Sequence, residues 1–416
     1  MATSPYPRRL TFTLFAVVIF FAPLARGTVQ PWAQSALLAL ACLLAVALLV
    51  EKALTGVVIM PKTALDKPLV TLVALIGLSF LVSPARADGL ETIALFAAYA
   101  VIFYAARHLA ASRTGQRQVV YLLITLATVV ALLALIKRFS PQLTPIWWQY
   151  ELHGGTMAAG PYGNHNHLAG LLEMIIPLVF GLFLTRTRRI PALLLLVYLA
   201  ILLTATHILA LSRGGWFSLS AALAVMVIIL LAQKRFTRKK LLLGVVGGVA
   251  LAFLFILGGT HIVERLLTLT DEDTVLDFNG RVIAWKGCLR MIAAHPFLGT
   301  GPGSFALLFP AWQPPGIIAR FFYAHNDYLQ YTAELGLTVA AIIIWIVIIL
   351  TRRLIHLAAH RSRQVWGISL GAGIGILAMI FHSFVDFNLR IPGNAAIFVV
   401  LLAIVSAPSP RRHHEC

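Results

Sequence analysis

Residues 118–136 read QVVYLLITLATVVALLALI. No charged side chain interrupts this stretch, and Arg113 and Arg117 precede it while Lys137 and Arg138 follow it. A helix needs about 20 apolar residues to cross the hydrocarbon of a bilayer, so this run predicts a membrane span closed by cations. Similar runs recur along the chain, at about 10–27, 33–50, 67–83, 89–107, 167–185, 190–211, 215–232, 241–258, 329–350, 365–385 and 390–407. Of the 416 residues, 60% are hydrophobic and 12% charged, with a mean hydropathy of +0.88. One soluble core could not hide that much apolar surface. The expected fold is therefore an all-α polytopic membrane protein with about 12 transmembrane helices. Cys42, Cys288 and Cys416 lie far apart and suggest neither a disulfide framework nor a metal site.

The loops set the orientation. With the N-terminus inside, the inner loops collect most of the 33 Lys and Arg residues, among them Arg8, Lys52, Arg107, Arg189, Lys239, Arg353 and Arg412. This satisfies the positive-inside rule with both termini cytoplasmic. It also accounts for the formal net charge of +18 without nucleic acid. The first run follows Arg8 and Arg9 and resembles a signal peptide, but Ala22-Pro23-Leu24-Ala25 is a poor cleavage site, so it reads as an uncleaved first helix. Four units result: 1–160 with the first five spans and an outer loop, 161–258 with the next four, 259–328 as a large outer loop, and 329–416 with the last three spans and an inner tail. The large loop carries an expected amphipathic helix from Arg281 to Ala294, with Asn279 as N-cap and His295-Pro296 as the stop. Val282, Trp285, Leu289 and Ile292 would form its apolar stripe. Phe321-Phe322-Tyr323 and Trp147-Trp148 would sit in the interfacial belt.

That topology leaves Arg213, Arg265, Arg281, Arg290 and Arg320 on the outer face, where cations are normally scarce. A bound polyanion would explain the excess. Two guanidiniums can grip a diphosphate through parallel N–H···O bonds. A tight turn explains Ser212-Arg213-Gly214 equally well, and a solvated helix start explains Asn279-Gly280-Arg281. His167, Glu173, His207, Asp327, Glu334, His382 and Asp386 also fall in the outer third of their helices, as expected for a hydrated cavity open to one side. His325, followed by Asn326, Asp327 and Gln330, is a candidate general base. Asp327 would orient the ring or an acceptor hydroxyl, or cap a helix beside Asn326. His382 and Asp386, four residues apart on one helix face, would support the cavity or pair with each other.

Three further tracts resemble known sites. Gly163-Asn164-His165-Asn166-His167 has the look of a metal tract, but its histidines are two apart and cannot share a helix face, so a polar rim is expected. Asp271-Glu272-Asp273 fits a loose Asp-x-Asp pattern and reads as solvated charge. Gly299-Thr300-Gly301-Pro302-Gly303 lacks the Lys-Ser/Thr of a phosphate loop and reads as a turn.

Taken in order, Ser212-Arg213-Gly214-Gly215-Trp216, Gly280-Arg281 with Trp285, His295 through Gly303, and His325-Asn326-Asp327-Tyr328-Leu329-Gln330 with Glu334-Leu335-Gly336 resemble the O-antigen ligase and polymerase superfamily. Val385-Asp386-Phe387-Asn388-Leu389 and the tract from Gly163 to Gly170 extend the resemblance, which is strongest from about 160 to 400. It implies a bacterial inner-membrane glycosyltransferase with a large periplasmic loop. Its donor would be an oligosaccharide on undecaprenyl diphosphate, and its acceptor a hydroxyl of lipid A-core or of a growing glycan. No metal or other cofactor is implied. Arg213 and Arg281 would hold the diphosphate and His325 would activate the acceptor. Arg290, Arg320, Asp327, His167 and Asp386 are expected to bind substrate. A polymerase of the same superfamily is the near alternative; a transporter of bicarbonate or lipid is the alternative from another class.

Overall fold

The computed structural model describes residues 6–56, 62–143, 157–185, 189–232, 244, 248, 272–317, 319–358 and 362–406. Among these, helices and turns form the whole architecture and no strand element occurs. The main helices are α1 (Tyr6–Leu24), α2 (Pro31–Thr55), α3 (Asp66–Val82), α4 (Arg86–Leu109), α5 (Arg113–Phe139), α6 (His165–Phe183) and α7 (Ile190–Leu209). They continue as α8 (Arg213–Ala232), α9 (Glu272–Ala294), α10 (Asp327–Leu335), α11 (Leu337–Ala358), α12 (Arg363–His382) and α13 (Pro392–Ser406). Eight of them, α2, α4 to α8, α11 and α12, are long and apolar enough to cross a membrane. The chain is a multi-pass membrane protein, although the described residues do not reach twelve such helices. Helices α3 and α13 are shorter, at 17 and 15 residues, and the expected span at 241–258 lies outside the described residues except for Gly244 and Gly248.

Local sequence explains where helices begin. The Ser112 side chain caps α5 by accepting from the Gly115 N–H at 3.1 Å, just ahead of the apolar run. Asn164 caps α6 in the same way through the Asn166 N–H at 2.8 Å, so part of the histidine-rich tract is a helix start. Two departures from the sequence reading concern the C-terminal half. The run at 329–350 is not one helix: it breaks at Gly336, whose φ of 77° favours glycine, and the Phe297 carbonyl packs where a side chain would stand. Helix α9 begins by Glu272, so Asn279 lies inside it rather than capping it.

Helices α6 and α12 form the centre. In their most apolar windows 94% and 83% of residues are buried, against 17–50% in the other six spans. Outer helices leave large apolar side chains such as Val70, Leu194 and Phe217 uncovered, as a lipid-facing surface requires. The two central backbones touch through Gly181 on α6 and Gly367, Gly371 and Gly375, spaced four apart on α12. A Cβ on Gly371 would stand 2.6 Å from the Pro177 carbonyl oxygen. Small residues at this spacing allow membrane helices to approach closely and gain dispersion energy along their length. This contact brings the ends of α6 and α12 together.

The opposite end of the bundle is pinned by polar pairs. His108 at the end of α4 meets Glu51 near the end of α2 at 2.7 Å, and the Tyr104 hydroxyl donates to Asp66 at the start of α3 at 3.2 Å. Arg107 beside them is 2% exposed. Ionisable groups thus gather at both ends, whereas α6 from Met174 to Phe183 buries apolar residues alone.

Candidate active site

The turn after α12 organises the site. His382 ends the helix, and the next residues offer their peptide carbonyls to two other elements, the start of α10 and α9. The Asp327 N–H donates to the Ser383 carbonyl at 2.9 Å, the Asn326 side-chain amide to the Phe384 carbonyl at 2.9 Å, and Arg281 Nη1 to the Val385 carbonyl at 2.8 Å. From a third side the start of α8 closes in: a Cβ on Gly214 would lie 3.0 Å from both His382 Nε2 and Val385 Cγ2. The absence of a Cβ at Gly214 lets α8 approach the turn without displacing these two side chains. Arg213, the first residue of α8, adjoins this contact.

His325 reaches the same turn from the segment before α10. Its Nδ1 lies 3.5 Å from Asp386 Oδ1, and its ring meets Phe387 edge-on with centroids 4.8 Å apart. The histidine side chain is 34% exposed whereas Asp386 is 3% exposed, so an open imidazole stands on a closed carboxylate. His325 has φ 49° and Leu211, two residues before Arg213, has φ 56°. Non-glycine residues held in the left-handed region cost roughly 1–3 kcal/mol each and concentrate at functional sites. Leu211 adjoins the Ser212-Arg213-Gly214 motif and His325 opens its own, whereas Arg26 and Thr28, at φ 56° and 60°, lie in the link between α1 and α2.

Phe387 is the common wall. Tyr323 stacks on it at 4.1 Å and 6°, and His167 from α6 meets it edge-on at 5.1 Å. The sequence places Phe387 in a motif but does not distinguish it from lipid-facing aromatics. Burial drives the Asp386 carboxyl toward the neutral form, yet the adjacent His325 ring and the charges of His382 and His167 outweigh it and leave the group more acidic than usual. Asp386 therefore stays ionised beside His325.

The other sequence candidates separate. Asp327 is buried and its Oδ2 accepts from Ser383 Oγ and the Leu389 N–H, both at 3.0 Å; burial pushes its carboxyl up to about 7 against those bonds. It braces the turn, while Asn326 caps α10 by accepting from the Leu329 N–H at 3.0 Å. Exposed Arg290 clips the Trp312 carbonyl through Nε and Nη2, and Arg320 lies over the Phe322 ring at 5.0 Å. Neither contact involves the 382–387 turn. Arg265, Asp271 and Trp147-Trp148 lie outside the described residues. The apolar stripe of α9 is rotated from expectation: Ala284, Cys288, Met291 and Ile292 are buried, whereas Leu289 is 56% exposed. Its buried face packs on Phe305 and Phe309, and the rotation brings Trp285 Nε1 to the Ala324 carbonyl at 2.9 Å, next to His325.

The glycine-rich segment 299–303 is a turn, as expected, wrapped over the end of α10. The Gly301 N–H donates to the Glu334 carbonyl at 2.8 Å and the Gly303 N–H to Glu334 Oε2 at 2.9 Å. Arg390, which the sequence reading passed over, closes this corner. It pairs with Glu334 Oε2 at 2.9 Å and lies 3.9 Å from the Tyr331 ring centroid. No three His, Cys, Asp or Glu side chains among the described residues converge as a metal cage.

Such a site joins an imidazole on an ionised carboxylate to two arginine-bearing elements, α8 and α9, around one turn. It can take a proton at the exposed imidazole nitrogen and offers guanidiniums to an anion. No curated protein matches the chain. Residues 198–344, which include Arg213, Arg281 and His325, match the O-antigen ligase family. The segment that brings α8, Arg281 and His325 to the turn is thus similar to the O-antigen ligase family.

Proposed function

We propose that the protein is an O-antigen ligase type glycosyltransferase, moving glycan from an undecaprenyl-diphosphate-linked donor to an acceptor hydroxyl at the periplasmic face of the bacterial inner membrane. The observation that carries this reading is the meeting of α8, Arg281 and His325 on the 382–387 turn. Asp386 faces Nδ1 of His325, which leaves Nε2 to accept the proton of the acceptor hydroxyl. The acceptor oxygen then bonds to the anomeric carbon as the bond from that carbon to the diphosphate oxygen breaks. Displacement on one face inverts the centre. Arg213 and Arg281 hold the departing diphosphate, whose charge grows as the bond lengthens. That is the part a divalent cation plays in other transferases, so turnover is expected to survive a chelator. The apolar run from Met174 to Phe183 on α6 supports an enzyme open to one side over a transporter with a polar path through the membrane.

In vesicles supplied with the lipid-linked donor and an acceptor, His325→Ala is expected to lower transfer by about 10²–10⁴-fold, the usual share of a general base. Full activity in a correctly inserted variant would reject the assignment. Complementation of a deletion strain separates the acceptors. Loss of capped lipopolysaccharide identifies a ligase; loss of chain length with a single repeat still attached identifies a polymerase.

A further inference from the structure

Behind Asp386 lies a group of ionisable residues that the proposed chemistry does not use. His382 Nε2 is 4.0 Å from Asp386 Oδ2, and His382 Nδ1 is 3.0 and 3.1 Å from the two oxygens of Glu173 on α6. His207 Nε2, from the end of α7, is 3.9 Å from Glu173 Oε2. Glu173 is fully buried and the two histidines are 1% exposed, so only His325 at the outer end of the row meets solvent. The glycine contacts of α6 and α12 fix the spacing between Glu173 and His382.

The spacing of the row constrains its charges. His382 Nδ1 is within hydrogen-bond reach of Glu173, and Nε2 stands 4.0 Å from Asp386 Oδ2, too far for a hydrogen bond but close enough for charge on the ring to act on both carboxylates. Two carboxylates buried without a cation between them would be far more costly than the same pair bridged by one. A charged His382 ring would stand between the two carboxylates, balancing Glu173 on one side and tempering Asp386 on the other. The charged or titratable groups around it are Glu173 and His167 from α6, His207 from α7, Arg213 at the head of α8, Arg281 from α9, Asp327 from α10, and Asp386 with His325.

We propose that Glu173 is a positioning residue that keeps His382 charged, so that Asp386 orients His325 without holding a proton on it at neutral pH. This rests on His325 being the base. If the cation at His382 is lost, nothing tempers Asp386, its pull on His325 strengthens, and the base is protonated over more of the working range. Losing Asp386 has the opposite effect, because the imidazolium then has no facing anion.

The test is the acid limb of the pH–rate profile for kcat/KM in reconstituted vesicles. Glu173→Gln and His382→Gln are each expected to move that limb upward by about one pH unit, the scale of a single neighbouring charge. Asp386→Asn is expected to move it downward with a larger loss of rate. A purely structural role would lower rates or yields and leave the limb in place, and that result overturns the proposal. A downward shift in Glu173→Gln overturns it too. The base assignment fails separately, if His325→Ala stays active or keeps the same acid limb. Should neither glutamine variant insert, isotope-labelled histidine in the wild-type protein gives the answer by nuclear magnetic resonance. His382 read as an imidazolium at neutral pH supports the proposal, and a neutral ring overturns it.

Discussion

The two ends of the helix bundle both bury charge, and they do so differently. At one end Glu51 meets His108, and Asp66 accepts from Thr63 Oγ1 at 2.6 Å and from the Tyr104 hydroxyl. These are pairs between helix ends, with ordinary backbone around them. At the other end carboxylates and histidines line up in a row that stops at a partly exposed ring, and Leu211 and His325 beside that row hold left-handed backbone, as do Arg26 and Thr28 in the link between α1 and α2. Paired charge at helix ends stitches helices together. A row with one open member and strained supports is arranged for a ligand and a proton. Burial of polar residues alone therefore does not distinguish structure from function in this protein; the connectivity of the polar groups does.

The largest test of that contrast is to pull the row apart without touching it. Gly371→Leu would force α6 from α12 and separate Glu173 from His382; overpacked cores lose about 1–3 kcal/mol or more. We expect transfer to fall at least tenfold with lower thermal stability in detergent, while the Glu51–His108 end remains closed to thiol labelling of introduced cysteines. Next in size is Phe387→Leu, which removes the ring shared by Tyr323, His167 and His325. Aromatic pairs contribute about 0.5–1.5 kcal/mol beyond area, so a several-fold loss of kcat with modest change in stability is expected. Asp327→Asn sharpens the comparison by pH. With its carboxyl raised to about 7, the folded protein binds a proton that the unfolded chain releases near 4, so this residue makes stability fall as pH rises from about 4 to 7. The asparagine variant should flatten that part of the melting-temperature profile and gain relative stability at pH 8. The smallest effect is expected from Glu51→Gln at the other end: transfer within about twofold of wild type, with a slightly lower melting temperature.

Much of this was legible in the residues. Apolar runs and capping residues such as Ser112 mark the helices, and the outer polar cluster does gather at one end of the bundle. The segment 299–303 reads correctly as a turn. What the residues hide is three-dimensional. Nothing local tells that Glu173 faces His382, because the two are 209 residues apart and their pairing depends on glycines of α12 packed against α6. The buried stripe on α9 differs from the hydropathy pattern because Ala284, Gly287 and Cys288 are small and weigh little in that pattern, though they pack the core. The break at Gly336 is masked by apolar residues on both sides, where the hydropathy pattern continues while the backbone turns. Asp327 has the residue type of a catalytic acid and the environment of a brace, a distinction only its partners reveal.

Central to the account is that Arg213 and Arg281 hold one diphosphate beside His325. Binding of undecaprenyl-diphosphate-linked donor to wild type, Arg213→Lys, Arg281→Lys and the double variant tests it directly. Lysine keeps the charge and loses the bidentate grip, so each single change should weaken donor affinity by about tenfold. The double variant should lose less than the product of the two, because the partners of one shared anion couple. Donor affinity unchanged in both single variants, or fully additive losses, would contradict a common site.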